Sequence, residues 1–273
     1  DGSTFWAVSQ AMPVEVSGTT FYMTVFDDIS DRKTAEQEIK DANNELVRSN
    51  EELTQFAYVA SHDLKEPLRM VSSYCGLIAD RYADQLDDTG RRFIHYATDG
   101  AKRMQTLIDD LLLYSKIGRG GEELASVELA SVVDEVRLIL GEAIREVDAT
   151  LVVADLPVVG GYRTELIRLF QNLIGNAVKF RAEAPVRIEI QCERAGTAWK
   201  ITVSDNGIGI APEYRERVFG IFQRLHNREQ YEGTGIGLAI CEKIVSQMGG
   251  RIWLDEGPDG GSAFSFTFPD ERK

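Results

Sequence analysis

The chain has 273 residues, 43% hydrophobic and 27% charged, a composition typical of folded globular domains. Its formal net charge of -14 would repel a nucleic-acid backbone, so no nucleic acid is expected as a partner, and a nucleotide site would have to concentrate positive charge locally. No apolar run approaches the roughly 20 residues that cross a bilayer, so we expect no membrane contact within this chain. Three widely spaced cysteines favour reduced core thiols and a cytoplasmic location.

The first 30 residues contain two runs of alternating apolar and polar side chains. They predict strands around Thr4 to Met12 and Thr20 to Phe26, joined by a turn at Ser17-Gly18. A lone hairpin is only marginally stable. Because the chain starts at Asp1, without a methionine and already in strand-like sequence, we expect it to be part of a longer protein with an upstream sensor.

The next segment steps by four and three residues between apolar positions, which is the pattern of a coiled-coil seam. The seam consists of Ala35, Ile39, Ala42, Leu46, Ser49, Leu53, Phe56 and Ala60. The alternative is a single amphipathic helix packed on its own chain, but nothing apolar upstream is large enough to cover it. We therefore predict a coiled-coil helix.

The stretch SHDLKEPL, from Ser61 to Leu68, sets His62 beside a carboxylate on a predicted helix. The apolar stripe of this helix consists of Leu64, Leu68, Val71, Cys75, Ile78 and Tyr82. At roughly 100° per residue His62 lies about 200° from Leu64, which points it toward water, as a nucleophile requires. Taken alone, the segment fits a solvated surface histidine beside Asp63 equally well.

A turn around Asp84 to Gly90 leads to a second amphipathic helix. Its stripe consists of Phe93, Ala97, Gly100, Met104, Leu107, Leu111 and Tyr114. Two such helices form an antiparallel hairpin that cannot bury both stripes, whereas two copies of the hairpin make a four-helix bundle, so we predict a homodimer. The glycines from Gly118 to Gly121 then predict a hinge.

Helices and strands mix in the remainder of the chain. Helices are predicted near Leu129 to Val147, Arg163 to Arg181 and Ile236 to Met248, and strands at Thr150 to Ala154, Val186 to Glu193, Trp199 to Ser204, Arg251 to Glu256 and Ser262 to Phe268. This mixture predicts an α/β sandwich with helices on one face of a mixed sheet.

Asn172, Asn176 and Lys179 follow the helical repeat and share one face of their predicted helix. An amide oxygen can ligate Mg²⁺, and an ammonium group can meet a phosphate. Taken alone, the pattern is also that of an ordinary solvated helix face.

Asp205 directly follows a predicted strand and precedes Gly207 and Gly209 in the sequence DNGIGI. A carboxylate at a rigid strand end can accept a hydrogen bond from an adenine amino group, and glycines let the backbone approach a ligand closely. A second glycine cluster, Gly233 to Gly237, opens a helix whose N-terminus can receive phosphates.

Between the two glycine clusters the sequence predicts a mobile lid over a nucleotide. Phe219, Phe222 and Arg224 lie in this segment, and the aromatic side chains would pin the lid when nucleotide is bound. Plain core packing of the two phenylalanines is the alternative.

Four elements thus occur in one order, namely His62 in HDLKEPL, the Asn176 helix, DNGIGI and GTGIGLAI. In that combination the chain resembles a sensor histidine kinase of the two-component systems over roughly residues 50 to 270. The stretch Val25 to Lys33 resembles the end of a PAS sensor domain and the motif that hands over to a signalling helix. The resemblance implies an α+β architecture in which a helical hairpin precedes a sandwich of the gyrase, Hsp90, histidine kinase and MutL type.

The expected domains are C-terminal PAS strands (1-30), a coiled-coil signalling helix (31-55), a dimerisation and phosphotransfer hairpin (56-117), a hinge (118-126) and a catalytic ATP-binding domain (127-270). The resemblance implies ATP and Mg²⁺ as cofactors. It implies that His62 is the phosphoacceptor, Asp63 its acidic partner, Asn176 the Mg²⁺ ligand and Asp205 the adenine anchor. Further nucleotide-binding residues are Asn172, Lys179, Phe180 and Thr234, with Gly207, Gly209, Gly233, Gly235 and Gly237 shaping the lid.

The resemblance implies autophosphorylation and transfer to an aspartate in the receiver domain of a separate response regulator. Relatives that hydrolyse ATP instead place a glutamate four residues before the Mg²⁺-binding asparagine, and Asn172 occupies that position here. A nucleotide-binding dimeric scaffold without kinase activity is the other alternative. Glu66 replaces the threonine or asparagine that orients water in kinases with phosphatase activity, which puts that activity in doubt.

Overall fold

The computed structural model describes residues 5–16, 19–118, 123–225, 231 and 233–270. The chain divides into two compact units, Asp1–Phe56 and Ala57–Lys273, and each is described by itself. The predicted turn at Ser17-Gly18 lies outside the described residues. So do positions 119–122 of the predicted hinge and 226–230 and 232 of the predicted lid.

The two strands predicted at the start of the chain are confirmed and pair with each other. Strand β1 (Ala7–Val16) and strand β2 (Thr19–Asp28) are antiparallel, and helix α1 (Ser30–Arg81) follows. The carboxylate of Asp28 accepts a hydrogen bond from the backbone N–H of Ser30 at 2.9 Å, which satisfies a donor at the start of the helix. The junction between β2 and α1 is therefore stabilised by a hydrogen bond between neighbouring residues.

The predicted helical hairpin is also present. Helix α2 (Asp88–Lys116) returns beside the C-terminal part of α1, and the side chain of Asp87 caps its first turn by accepting from the N–H of Gly90 at 2.7 Å. Arg91 donates to the carbonyl oxygen of Ala83 at 2.9 Å and so ties the two ends of the turn together.

The rest of the chain folds as the predicted sandwich. Its five-stranded sheet has the order β4-β6-β7-β9-β8, and only the β4–β6 pair is parallel. These strands are β4 (Thr150–Val153), β6 (Arg187–Ala195), β7 (Ala198–Asp205), β8 (Ile252–Glu256) and β9 (Ser262–Pro269). The helices are α3 (Leu129–Ile139), α4 (Gly141–Glu146), α5 (Arg163–Lys179) and α6 (Gly237–Gln247). Short 3₁₀ turns occupy Pro212–Tyr214, Arg217–Phe219 and Pro258–Gly260.

One continuous apolar core lies between the sheet and its helices. Phe170 of α5 and Phe266 of β9 are both fully buried, with ring centroids 5.8 Å apart in an edge-to-face arrangement. Along β6, Ile188 and Ile190 point into this core, while Glu189 between them points to the other face of the sheet. Burial of one sheet face and of the α5 stripe fixes the position of the polar face of α5.

The structure differs from the sequence predictions in three places. The helix predicted from Leu129 to Val147 is two helices, α3 and α4, which meet at Leu140. A two-stranded sheet of β3 (Ala125–Glu128) and β5 (Val158–Gly161) was not predicted, because four-residue strands carry too little alternation to be recognised. Of the three cysteines predicted to lie in a core, Cys241 is buried, but Cys75 and Cys192 are only half-buried.

Among the described residues, no helix is both long and apolar enough to cross a membrane.

Candidate active site

The polar face of helix α5 lines a cavity of about 560 Å³ in the sandwich. Leu166, Leu169, Phe170, Leu173 and Ile174 anchor the opposite face of the helix in the core. The cavity face carries Asn172, Asn176 and Lys179, as predicted from their spacing, and also Arg168 one turn before Asn172. Arg168 was not predicted as a site residue, although it lies the same four-residue helical step from Asn172 as Asn176 does.

Asp205 also lines the cavity, at the end of strand β7. It is only 8% exposed. Its Oδ1 atom accepts two backbone hydrogen bonds, from Gly207 at 2.8 Å and from Ser262 at 3.3 Å. Burial raises the pKa of this carboxyl, and the two N–H donors act in the opposite direction.

The glycines after Asp205 are required by close backbone packing. A Cβ atom on Gly207 would lie 2.3 Å from the carbonyl oxygen of Phe180, at the end of α5. Gly209 has a φ of 65°, and a Cβ atom there would lie 2.1 Å from the carbonyl oxygen of Gly260. This packing holds the Asp205 loop against the end of α5, with Gly209 in the cavity wall.

The second glycine cluster also lines the cavity, before helix α6. The guanidinium of Arg224 donates to the carbonyl oxygen of Tyr231 at 2.9 Å and also to that of Gly233. A Cβ atom on Gly233 would lie 2.9 Å from Nζ of Lys179. Two cations from different parts of the chain therefore meet at this loop, where a phosphate would need them.

Asn172 lies beside the start of helix α6. Its Nδ2 group donates to the carbonyl oxygen of Arg168 at 3.1 Å, and a Cβ atom on Gly237 would lie 2.8 Å from its Oδ1. The amide oxygen is thus directed toward the first turn of α6, where the backbone N–H groups form the positive end of the helix dipole.

The two phenylalanines of the predicted lid have different environments. Phe219 is 8% exposed and packs edge-to-face on Phe264 with ring centroids 6.4 Å apart, so core packing describes it. Phe222 is 56% exposed and has a φ of 63°, which is uncommon for a non-glycine residue. Only Phe222 therefore remains a candidate for a side chain that pins the lid.

Aromatic and cationic side chains stack on one another in the wall of the cavity. The ring of Phe180 lies 4.8 Å from that of Tyr231, and the ammonium of Lys179 lies 4.4 Å from the centroid of Phe180. Tyr231 was not among the predicted site residues, because a lone tyrosine in a polar loop carries no sequence pattern.

Helix α2 also contributes to the cavity through Asp110 and Leu113. The hydroxyl of Thr234 donates to Asp110 at 2.5 Å across a separation of 124 residues. No local pattern could have revealed this contact.

His62 lies on helix α1, and its side chain is outside the described residues. Asp63, the next residue, is exposed. Lys65 of α1 forms an ion pair with Asp109 of α2. Counting residues from this pair along the two antiparallel helices puts the backbone of His62 about level with Leu112 of α2. Leu113, the next residue of α2, lines the cavity, so the cavity adjoins the hairpin near the level of His62.

Two family models match the chain. The His Kinase A (phospho-acceptor) domain matches residues 52–120, and the Histidine kinase-, DNA gyrase B-, and HSP90-like ATPase matches residues 161–272.

Similar proteins include Phytochrome-like protein Cph1 of Synechocystis sp., 44% identical over 85% of this chain and 31% of that protein. Cyanobacterial phytochrome A of Nostoc sp. is 47% identical over 85% of this chain and 30% of that protein. Adaptive-response sensory kinase SasA of Thermosynechococcus vestitus is 29% identical over 88% of this chain and 70% of that protein. The chain thus spans less than a third of the length of the two phytochromes.

Two solved structures share the fold. ShkA, crystallised full-length in complex with AMPPNP, superposes with a TM-score of 0.59 at 24% identity, over 79% of this chain and 45% of that one. Histidine kinase AdeS of Acinetobacter baumannii has a TM-score of 0.54 at 17% identity, over 75% of this chain and 96% of that one. A phospho-acceptor domain followed by this ATPase domain defines a protein-histidine kinase. The chain carries both domains in this order, which is the arrangement of a histidine kinase transmitter.

Proposed function

We propose that the chain transfers the γ-phosphoryl group of ATP to His62, from which the group passes to an aspartate in the receiver domain of a separate response regulator. One observation carries the proposal. The cavity that gathers Asn176, Lys179 and Asp205 is lined on one side by helix α2, whose register with α1 brings it near the level of His62.

The nucleotide is proposed to bind with its adenine at Asp205 and its phosphates toward α6. Both backbone donors of Asp205 bind Oδ1, so Oδ2 is the atom with which the carboxylate would accept from the exocyclic amino group. Lys179, with Gly233 and Gly235 and the first turn of α6, would meet the phosphates. Phe180, Thr234, Gly207, Gly209 and Gly237 complete the proposed nucleotide site.

The residues at the phosphate end fit Mg²⁺, which in nucleotide sites takes one or two protein oxygens and keeps several waters. The amide of Asn176 is the proposed ligand, and Asn172, whose oxygen is directed toward α6, lies one turn away. When bound, Mg²⁺ would neutralise charge on the transferring phosphoryl group.

The chemistry proposed for His62 is nucleophilic. A ring nitrogen of the neutral imidazole forms a bond to the γ-phosphorus while the bond from that phosphorus to the bridging oxygen breaks, and ADP leaves with the electron pair. The second ring nitrogen keeps its proton. Asp63, next in sequence and exposed, is proposed to hold that N–H, so that it fixes the tautomer and stabilises the developing imidazolium.

The hairpin is proposed to form a homodimer. Large apolar side chains of α1 and α2 are exposed in the single chain, among them Tyr74 (63%), Leu77 (56%) and Phe93 (67%). A group of large apolar side chains exposed on one hairpin is typical of a protein interface. A second hairpin packed against them would complete a four-helix bundle.

Input is proposed to reach His62 from an upstream sensor through α1. A single helix, α1, extends from Ser30 to Arg81 and so includes both the segment that follows β2 and His62. We therefore retain the proposed domains, with PAS strands at 1-30, a coiled-coil helix at 31-55, the hairpin at 56-117, a hinge at 118-126 and the catalytic domain at 127-270. That relatives of the chain are named phytochromes supports a longer sensor protein.

Glu66 bears on whether the kinase also dephosphorylates its partner. Arg69 donates to Glu66 at 2.8 Å, so the carboxylate is engaged on the helix surface. We propose that phosphatase activity is weak. Glu66→Thr, assayed on a phosphorylated receiver domain, is expected to release phosphate faster than the original protein, and an unchanged rate would contradict this role.

Transfer of labelled γ-phosphate from Mg-ATP tests the main proposal. Label is expected on the original protein and not on His62→Gln, and it should be acid-labile, as a phosphoramidate is. Nucleotide binding without label on either protein would instead support the dimeric scaffold that lacks kinase activity.

A further inference from the structure

Asp110 lies where helix α2 meets the phosphate end of the nucleotide cavity. It lines the cavity, and its Oδ2 atom accepts a hydrogen bond from the Thr234 hydroxyl at 2.5 Å. The same hydroxyl oxygen accepts from the N–H of Ile236 at 3.4 Å, immediately before α6 begins. The carboxylate of Asp110 thus reaches the loop and helix terminus that are suited to bind phosphate.

Further contacts hold α2 at this position. Nζ of Lys243 in α6 donates to the carbonyl oxygen of Tyr114 at 2.6 Å and lies 4.2 Å from the centroid of its ring. Ile117, just beyond the end of α2, is 4% exposed and belongs to the core of the sandwich. The contact between Asp110 and Thr234 is therefore part of a larger docking surface between α2 and α6.

The charge at this position opposes an anionic ligand. Arg168, Lys179 and Arg224 line the same cavity and would attract a triphosphate, whereas the carboxylate of Asp110 would repel it. Burial raises the pKa of Asp110, the charge of Asp109 adds to the effect, and the hydrogen bond from Thr234 lowers it. The surroundings of Asp110 thus already disfavour additional negative charge.

We propose that Asp110 competes with the phosphates of ATP, so that docking of α2 on Thr234 and binding of the triphosphate oppose each other. The inference rests on the proposed function, because it takes nucleotide phosphates to be the ligand of this end of the cavity. Linkage makes the effect reciprocal: a displacement of α2 from Thr234 tightens nucleotide binding, and nucleotide weakens the docking. The position of α2, the helix beside the His62 helix, therefore depends on whether a triphosphate is bound in the cavity.

Asp109 provides a matched control on the same turn. It pairs with Lys65 of α1, whereas Asp110 accepts from Thr234. Replacing either aspartate by asparagine removes one negative charge and keeps the shape. A long-range effect of net charge would act on both variants alike.

Isothermal titration calorimetry of the whole chain with the ATP analogue adenosine 5′-(β,γ-imido)triphosphate, and separately with adenosine, tests the proposal. Asp110→Asn should bind the triphosphate about fivefold more tightly or better, the lower range of typical coupling between sites. Its affinity for adenosine should be unchanged, because adenosine carries no phosphate. Asp109→Asn should bind both ligands as the original protein does.

Equal triphosphate affinity in Asp110→Asn and the original protein overturns the competition while leaving the nucleotide site in place. Weaker binding in Asp110→Asn also overturns it, since the carboxylate would then assist the magnesium-bound phosphates. An equal gain in Asp109→Asn assigns the effect to net charge and overturns it as well. If neither ligand binds to the original protein, the proposed function and this inference fail together.

Discussion

The helical hairpin and the nucleotide-binding sandwich bury their apolar residues to different extents. In the sandwich, Phe170, Phe266 and Phe268 are fully buried. In the hairpin, Tyr96 is 65% exposed and Leu64 is 53% exposed. The difference indicates that the sandwich completes its core within one chain, whereas the hairpin needs a further apolar surface, which we propose to be a second copy of itself.

The largest effect is expected from a substitution that removes a large side chain from the sandwich core. Phe170→Ala should lower the free energy of unfolding by about 4 kcal/mol, because it removes a fully buried ring from contact with Phe266. Phe93→Ala removes a ring that is 67% exposed in the single chain. Urea unfolding at low protein concentration, followed by the fluorescence of Trp199 and Trp253 in the sandwich, should show less than about 1 kcal/mol for that variant. Equal losses would contradict the contrast.

A charge in the hairpin tests the proposed dimer. Ile78 is 42% exposed in the single chain, and in a bundle interface Ile78→Glu would bury an unpaired carboxylate in each copy, destabilising association by about 3 kcal/mol or more. Sedimentation equilibrium should detect a monomer. Leu138→Glu, at a position 82% exposed on the sandwich, should leave the mass unchanged. A dimer that survives Ile78→Glu would move the interface elsewhere.

Backbone packing beside Asp205 gives the next largest expected effect. Gly209→Ala should destabilise the sandwich by about 3 kcal/mol, since it adds a Cβ atom 2.1 Å from the Gly260 carbonyl at a φ of 65°. Gly196 has a similar φ of 63°, but a Cβ atom added there would meet no atom within 4 Å, so Gly196→Ala should lose only about 1 kcal/mol. Thermal unfolding of the two variants separates packing from backbone strain.

The smallest expected effect combines binding with pH. Asp205→Asn should weaken binding of the ATP analogue by about tenfold, because it replaces a charged acceptor by a neutral one. The folded-state pKa of Asp205 lies above its unfolded value, so its ionisation opposes folding, and stability should fall as pH rises from the unfolded pKa through the folded one. Asp205→Asn should lack this fall. The check is the free energy of unfolding of both proteins across pH 3 to 7. An equal loss of stability in the two proteins would contradict the role given to Asp205.

The sequence predicted the elements that carry regular patterns. The step of four and then three from Asn172 to Lys179 placed these residues on one face, and that face lines the cavity. The alternation in β6 and β7 predicted strands that the structure confirms. The same periodic patterns carried the prediction of a helical hairpin followed by a sandwich.

Contacts between distant parts of the chain were beyond sequence patterns. Asp110 belongs to a helix whose apolar stripe predicted only packing, and its bond to Thr234 spans 124 residues. Phe219 is buried and Phe222 is exposed, and the backbone between them turns so that Phe222 adopts a positive φ. Short strands such as β3 and β5 depend on pairing with each other and carry little periodicity of their own.

The most direct test of the central proposal is to locate the phosphate. After incubation with Mg-ATP, the protein would be digested and its peptides analysed by mass spectrometry at neutral pH, where a phosphoramidate survives. We expect the phosphate on His62 and none on His95, an exposed histidine of α2. Phosphate on any other residue, with His62 unmodified, would contradict the assignment of His62 as the phosphoacceptor.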